Sequence, residues 1–256
     1  MKVRSRSSSI PKKHSKLARR APGKDQSEWT RVSVLRKLSG LANPGIREKM
    51  KYFGVKVPLA YGISTPILHK FAKQIGKNHE LANQLWASRV HEAKILATLI
   101  GEPEKVTSAE MDRWALEFDS WDVVDAACCY LFASSKFAWK KTASWSKSPE
   151  PYIKRAAFSL AAYLSYKDKQ APDARFAGFL RVIERKSDDE RHFVKKAVNW
   201  ALRNIGKRSQ KLNREAIRVA EKLRRRDSRA ARWIAADALR ELRSDTVQRR
   251  LIRKSA

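Results

Sequence analysis

From residue 28 onward, apolar positions recur every three or four residues, the period of an amphipathic helix. The pattern predicts helices over 29–41, 45–53, 65–75, 79–88, 90–100, 107–118, 121–133, 135–146, 150–166, 172–185, 189–206, 210–226, 228–241 and 244–253. Breakers and caps fall between them. Asn43-Pro44-Gly45 ends the first, and Pro66 sits at the first positions of the third. Thr107-Ser108-Ala109-Glu110 reads as a capping box, and Ser148-Pro149 and Pro172 open two later helices. Ser187-Asp188-Asp189-Glu190 is expected to cap the helix over 189–206. The chain is therefore expected to be all-α.

A weak repeat runs through the second half. Lys154-Arg155-Ala156-Ala157 is matched by Lys195-Lys196-Ala197-Val198 after 41 residues and by Arg232-Trp233-Ile234-Ala235 after a further 37. Asp125-Ala126-Ala127 is a candidate earlier member, 30 residues before Arg155-Ala156-Ala157. A period near 40 residues built of helix pairs predicts an α-solenoid of the HEAT or armadillo kind, with a concave groove. No single pair can bury its apolar stripe, so the pairs must stack.

Some side chains fall away from the predicted packing stripes. At 100° per residue, Trp121, Asp125, Cys128 and Phe132 share one face of the helix over 121–133, while Val123, Ala127, Tyr130 and Leu131 lie mostly opposite. Two readings of the acids are open: Asp122 and Asp125 favour the dipole of a helix start, or Asp125 serves chemistry beside an indole. In the helix over 189–206, Val194, Val198, Ala201, Leu202 and Ile205 form the stripe. Trp200 lies nearly opposite, flanked by Lys196, Arg203 and Lys207, suited either to nucleic acid or to packing between layers. In the helix over 150–166, Arg155 is expected to point away from the stripe with Ser159 and Tyr166. It is either a phosphate ligand or one surface arginine among many.

Charge narrows the choice of partner. Fifty-six Lys and Arg against 26 acids give a net charge of +30 over 256 residues, which points to a polyanion, nucleic acid before membrane. Residues 1–26 hold nine basic residues and one acid, Asp25. They read as a disordered basic arm: a plain solvated tail, a nucleic-acid tether, or a nuclear signal at Pro11-Lys12-Lys13-His14. Residues 27–256 are expected to form one domain. No apolar run reaches the ~20 residues of a membrane helix, and no secretory segment is read. The two cysteines, Cys128 and Cys129, are adjacent, and no Cys/His cluster has metal spacing. No metal or cofactor is expected, and a reducing cytoplasm is the expected compartment. There is no phosphate-cradling glycine loop and no Ser/His/Asp order.

The ordered set Tyr61-Gly62-Ile63-Ser64-Thr65-Pro66, Leu85-Trp86, His91-Glu92, Ser120–Asp125, Lys154–Phe158, Phe193–Arg203 and Arg232–Ala235 resembles the AlkD-family DNA alkylation repair enzymes, which are HEAT-like-repeat alkylpurine DNA glycosylases. The resemblance runs from about Val34 to about Leu251. It implies duplex DNA carrying alkylated bases in the concave groove, a bacterial monomer associated with the nucleoid when on DNA, and base excision without a cofactor. It places the catalytic aspartate on Asp125, its aromatic partners on Trp121 and Trp200, and the groove arginine on Arg155. Lys196, Arg203 and Lys207 are the other expected DNA contacts. Ser120 stands where some members carry an aromatic residue. A non-catalytic HEAT-repeat module that binds nucleic acid or protein is the competing class.

Overall fold

The helices start where the sequence supplies caps. A computed structural model describes residues 29–255; the arm expected over residues 1–26 lies outside them. Among the described residues the elements are α1 (Arg31–Gly40), α2 (Pro44–Tyr52), α3 (Thr65–Ile75), α4 (His79–Trp86), α5 (His91–Ile100), α6 (Ser108–Leu116), α7 (Trp121–Ala126), α8 (Ala138–Trp145), α9 (Pro151–Lys167), α10 (Asp173–Lys186), α11 (His192–Gly206), α12 (Gln210–Arg224), α13 (Arg229–Leu242) and α14 (Asp245–Ser255). Thr107 and Glu110 form the expected reciprocal capping box at the head of α6. Thr107→Ala is expected to cost about 1 kcal/mol in urea denaturation, the usual worth of an N-cap.

The chain is all-α with HEAT-like pairing. α3, α5, α7, α9, α11 and α13 touch in sequence to form one row, and the helices between them pack behind that row. The three repeat members fall on α9, α11 and α13. Their small residues Ala157, Ala197 and Ala235 are fully buried, which lets neighbouring backbones approach. One apolar core runs unbroken from Val34 to Leu242. Among the described residues no helix is long and apolar enough to cross a membrane.

Two expectations are corrected here. The helix over 121–133 is not one α-helix: α7 ends at Ala126, a π turn follows over Ala127–Leu131, and a 3-10 turn over Phe132–Ser134. The wider turn ends the 100° register, so Cys128 and Phe132 are fully buried rather than facing outward with Asp125. Nor does the acidic run 187–190 cap α11, which starts at His192 with no side-chain cap. Asp189 instead accepts hydrogen bonds from Arg191 N (3.2 Å), Arg191 Nη2 (2.6 Å) and Lys154 Nζ (3.0 Å), tying α9 to the start of α11.

Burial alone would raise the Asp189 carboxyl, but Arg191 and Lys154 outweigh it and hold the group at about 2. A depressed carboxylate stabilises the fold above its unfolded value, and the contribution is lost as pH falls through the folded one. Asp189→Asn is therefore expected to flatten the loss of stability between pH ~4 and ~2 in urea denaturation followed by circular dichroism.

α5 fixes the entry to α7. Lys94 is buried and donates from Nζ to Glu117 O (2.8 Å) and to the Asp119 carboxylate (2.9 Å). His91 Nε2 lies 3.0 Å from Asp122 Oδ2. Asp122 also accepts from its neighbour Val123 N (3.0 Å), so for this acid the helix-start reading holds.

Candidate functional site

The free face of the helix row carries two adjacent recesses that share Arg155 and Lys196. One, about 360 Å³, is lined by Asp125, Asn199, Trp200, Trp233 and Asp237 among others. The other, about 520 Å³, is lined by Tyr52, Phe53, Trp121, His192 and Phe193. The folding of four helices puts them there. α7 supplies Trp121 and Asp125 one turn apart, α9 supplies Arg155, α11 supplies Lys196 and Trp200, and α13 supplies Trp233 and Asp237.

Asp125 sits at the floor of its recess with 18% of its side chain exposed. Arg155 meets it in a fork, Nη2 to Oδ2 at 2.6 Å and Nε to Oδ1 at 3.2 Å. Ser159 Oγ donates to Oδ1 at 2.8 Å. Burial pushes the Asp125 carboxyl above the usual carboxylate range, with Arg155 and Ser159 pulling against it. The same apolar surroundings push the Cys128 thiol up, so it stays protonated and is no nucleophile.

Arg155 lies off the packing stripe as expected, bordering both recesses, but it is no free surface arginine, and the expectation that Ser159 faces outward is wrong. α9 is the central helix of the row and is covered on both flanks, so Ser159 is fully buried and Arg155 nearly so. Arg155 is spent inside the protein: besides Asp125 it donates from Nη1 to Phe193 O at 2.8 Å. A charge buried this deeply needs such a partner.

The two tryptophans are both half-buried. Trp121 donates its indole N–H to Phe53 O (3.0 Å), and the Arg155 guanidinium lies 5.8 Å from its ring centre. Trp200 meets Tyr163 edge-on at 4.9 Å and turns its remaining surface into the Asp125 recess. One edge of Trp200 therefore packs on α9, as the layer-packing reading expects, and the rest lines the recess.

The basic residues separate into two kinds. Lys196 is exposed, borders both recesses and has no acid partner among the described residues. Arg203 and Lys207 are paired to α13: Arg203 Nη1 lies 2.7 Å from Glu241 and 3.2 Å from Asp237, and Lys207 Nζ 2.5 Å from Glu241. Much of their charge is cancelled within the protein.

Four side chains at these recesses have no place in the sequence reading of the site. Tyr52 and Phe53 are 86% and 63% exposed at the end of α2, a helix with no buried residue. Adjacent aromatic residues on a helix that packs nothing are the available signal. Trp233 is 41% exposed, with Lys195 Nζ 5.4 Å from its ring centre. Asp237 brings a second carboxylate, held by Asn199 Nδ2 at 2.7 Å and by Arg240. Trp233 and Asp237 share one face of α13 at four-residue spacing, so a helical wheel could have found them.

No curated protein matches the chain. Among solved structures, one with 20% identity superposes with a TM-score of 0.70, covering 84% of this chain and 96% of its own. It is described as "a new family of proteins related to the HEAT-like repeat DNA glycosylases with affinity for branched DNA structures". At that identity the likeness is one of fold. The family model described as "DNA alkylation repair enzyme" matches residues 34–250, most of the described chain. The chain belongs to the DNA alkylation repair enzyme family.

Proposed function

We propose that this protein is a DNA glycosylase that releases positively charged alkylated purines, of the 3-methyladenine and 7-methylguanine type, from duplex DNA as a monomer. The observation that carries the reading is Asp125: a carboxylate still open to solvent, at the floor of a recess walled by Trp200 and Trp233, on a protein of net charge +30. An acid costs affinity in an anion-binding groove unless chemistry uses it.

Alkylation at a ring nitrogen makes the base cationic and a good leaving group, so no general acid is needed to expel it. As the glycosidic bond stretches, the sugar gains oxocarbenium character. Asp125 stabilises that charge or orients the attacking water. Trp121 and Trp200 hold sugar and backbone by contacts worth about 0.5–2 kcal/mol each. Lys196 neutralises a phosphate and adds affinity without reading sequence. Arg155, as the ion partner of Asp125, sets how much negative charge the carboxylate offers.

The direct test is base release from methylated duplex by the intact protein. Because the carboxyl is raised, the acidic limb of the pH–rate profile is expected above the 3.8 of an ordinary aspartate. A limb at or below that value would count against Asp125 as the working base.

A second reading is favoured by the closed ion pair, which occupies both Asp125 oxygens. In it the protein binds DNA, branched forms included, and releases no base. Gel-shift affinity for four-way junctions together with absence of released base would select it.

A further inference from the structure

About 660 Å³ of open space lies at the rim of the helix row, where α9 and α11 end, α10 and α12 begin, and the second half of α14 passes. It is lined by five cations, Lys169, Lys207, Arg208, Arg250 and Lys254, and by the single acid Asp173. By the 1.5 Å rise of a helix, it lies roughly 15 Å along α9 from Arg155. It shares no residue with the Asp125 recess.

Three of the five cations have duties within the fold. Lys207 is paired with Glu241. Arg208 ties off the end of α9, donating to Ser165 O (2.9 Å), Asp168 O (2.8 Å) and Ala171 O (2.7 Å) and pairing with Asp173 (3.2 Å). Lys254 Nζ is 3.2 Å from Lys207 O. Lys169 and Arg250 are different: both are exposed, and neither side chain has an acid or carbonyl partner among the described residues. Like charge is crowded here without compensation. Burial and then Arg250, Lys169 and Arg208 push the Lys254 ammonium down. Tyr166, 42% exposed, adds a hydroxyl donor beside them.

We propose that this rim is a second nucleic-acid contact, in which Lys169, Arg250 and Lys254 bind successive backbone phosphates of DNA extending beyond the Asp125 recess. It rests on the reading of the protein as DNA-binding but not on base release. Lys169 and Arg250 have no acid or carbonyl partner and converge with Lys254, which donates only to backbone oxygen, on a recess wide enough for more than one phosphate. Phosphates relieve the crowding, and each contact releases counterions.

The test uses the full chain and a 21-base-pair duplex, with affinity measured across salt concentrations. Lys169→Glu with Arg250→Glu is expected to weaken binding at least about tenfold at 0.1 M salt and to reduce the salt slope by about 2. Lys169→Gln with Arg250→Gln should give a smaller loss of the same sign. Arg214→Glu with Arg218→Glu on α12 changes net charge equally and serves as the control. Single-turnover base release at saturating protein is expected to be unchanged in the rim variants. Equal loss in the control would reduce the effect to a general field and overturn the proposal. So would unchanged binding, lost release at saturation, or tight inorganic pyrophosphate binding lost in the variants while DNA affinity stays. Because binding is read directly, wild-type protein that holds DNA without releasing base removes the glycosylase reading and leaves this test standing.

Discussion

Asp125→Asn is expected to lower single-turnover release of 7-methylguanine by about 10²-fold or more, with a change in duplex affinity below about threefold. A carboxylate ~4 Å from a developing sugar cation contributes about 4 kcal/mol at an effective dielectric of ~20, roughly 10³-fold in rate. Arg155 opposes the same cation, but it is present in both proteins, so its repulsion leaves the difference between them unchanged. Asparagine keeps an acceptor for Arg155 and Ser159 but leaves a nearly buried cation without its counter-charge. The variant is expected to unfold more easily, by about 1–3 kcal/mol. Its rate must accordingly be read at a temperature where its circular dichroism matches wild type. Unchanged release by folded Asp125→Asn would remove the catalytic assignment.

How far such a site can be read without coordinates depends on whether its signals are local. The Thr107–Glu110 cap, the start of α3 at Pro66 and the shared row of α9, α11 and α13 were legible because each rests on residues within one or two turns, or on a repeat. Asp125 and Trp121 stood out because α7 is a regular helix as far as Ala126. The prediction failed one residue later, where the π turn shifts Cys128 and Phe132 inward, and nothing in Ala127–Leu131 announces it. The burial of Arg155 and Ser159 was missed because a single helical stripe assumes one buried side, whereas α9 is covered on both flanks. Asp189 looked like a cap because its sequence is right for one, but Lys154 sits within reach 35 residues away. His91 and Glu92 entered the sequence reading only as a motif of the family resemblance. Their actual roles are partnerships with Asp122 and with backbone some 30 residues upstream, and spacing carries no trace of either.

Glu92 carries the largest expected effect on stability. Its carboxylate is fully buried and accepts three backbone N–H groups, from Tyr61 (2.9 Å), Gly62 (2.6 Å) and Ile63 (3.2 Å). These amides lie in a segment with no secondary structure of its own, and no other hydrogen bond satisfies them. Gly62 has φ +79°, and a Cβ there would meet Asn43 O at 2.3 Å, so the segment is held against α2 in a single conformation. Glu92→Gln keeps the volume but turns an amide N–H₂ toward at least one of the donors. Glu92→Ala leaves all three unsatisfied unless water enters. A buried unsatisfied group costs about 1–3 kcal/mol, and recovery of the carboxylate's own desolvation offsets part of the sum, so the alanine variant is expected to lose about 4 kcal/mol. For a domain of this size that is roughly a 10 °C fall in Tm. The glutamine variant should fall about half as far. The same segment leads from Phe53, whose carbonyl accepts the indole N–H of Trp121. Loosening it should therefore slow base release at temperatures where the variant is still folded, through Trp121 and not through Asp125. Thermal melts that move by less than about 2 °C for Glu92→Ala would mean that the three amides find other partners, and that this carboxylate does not anchor the loop.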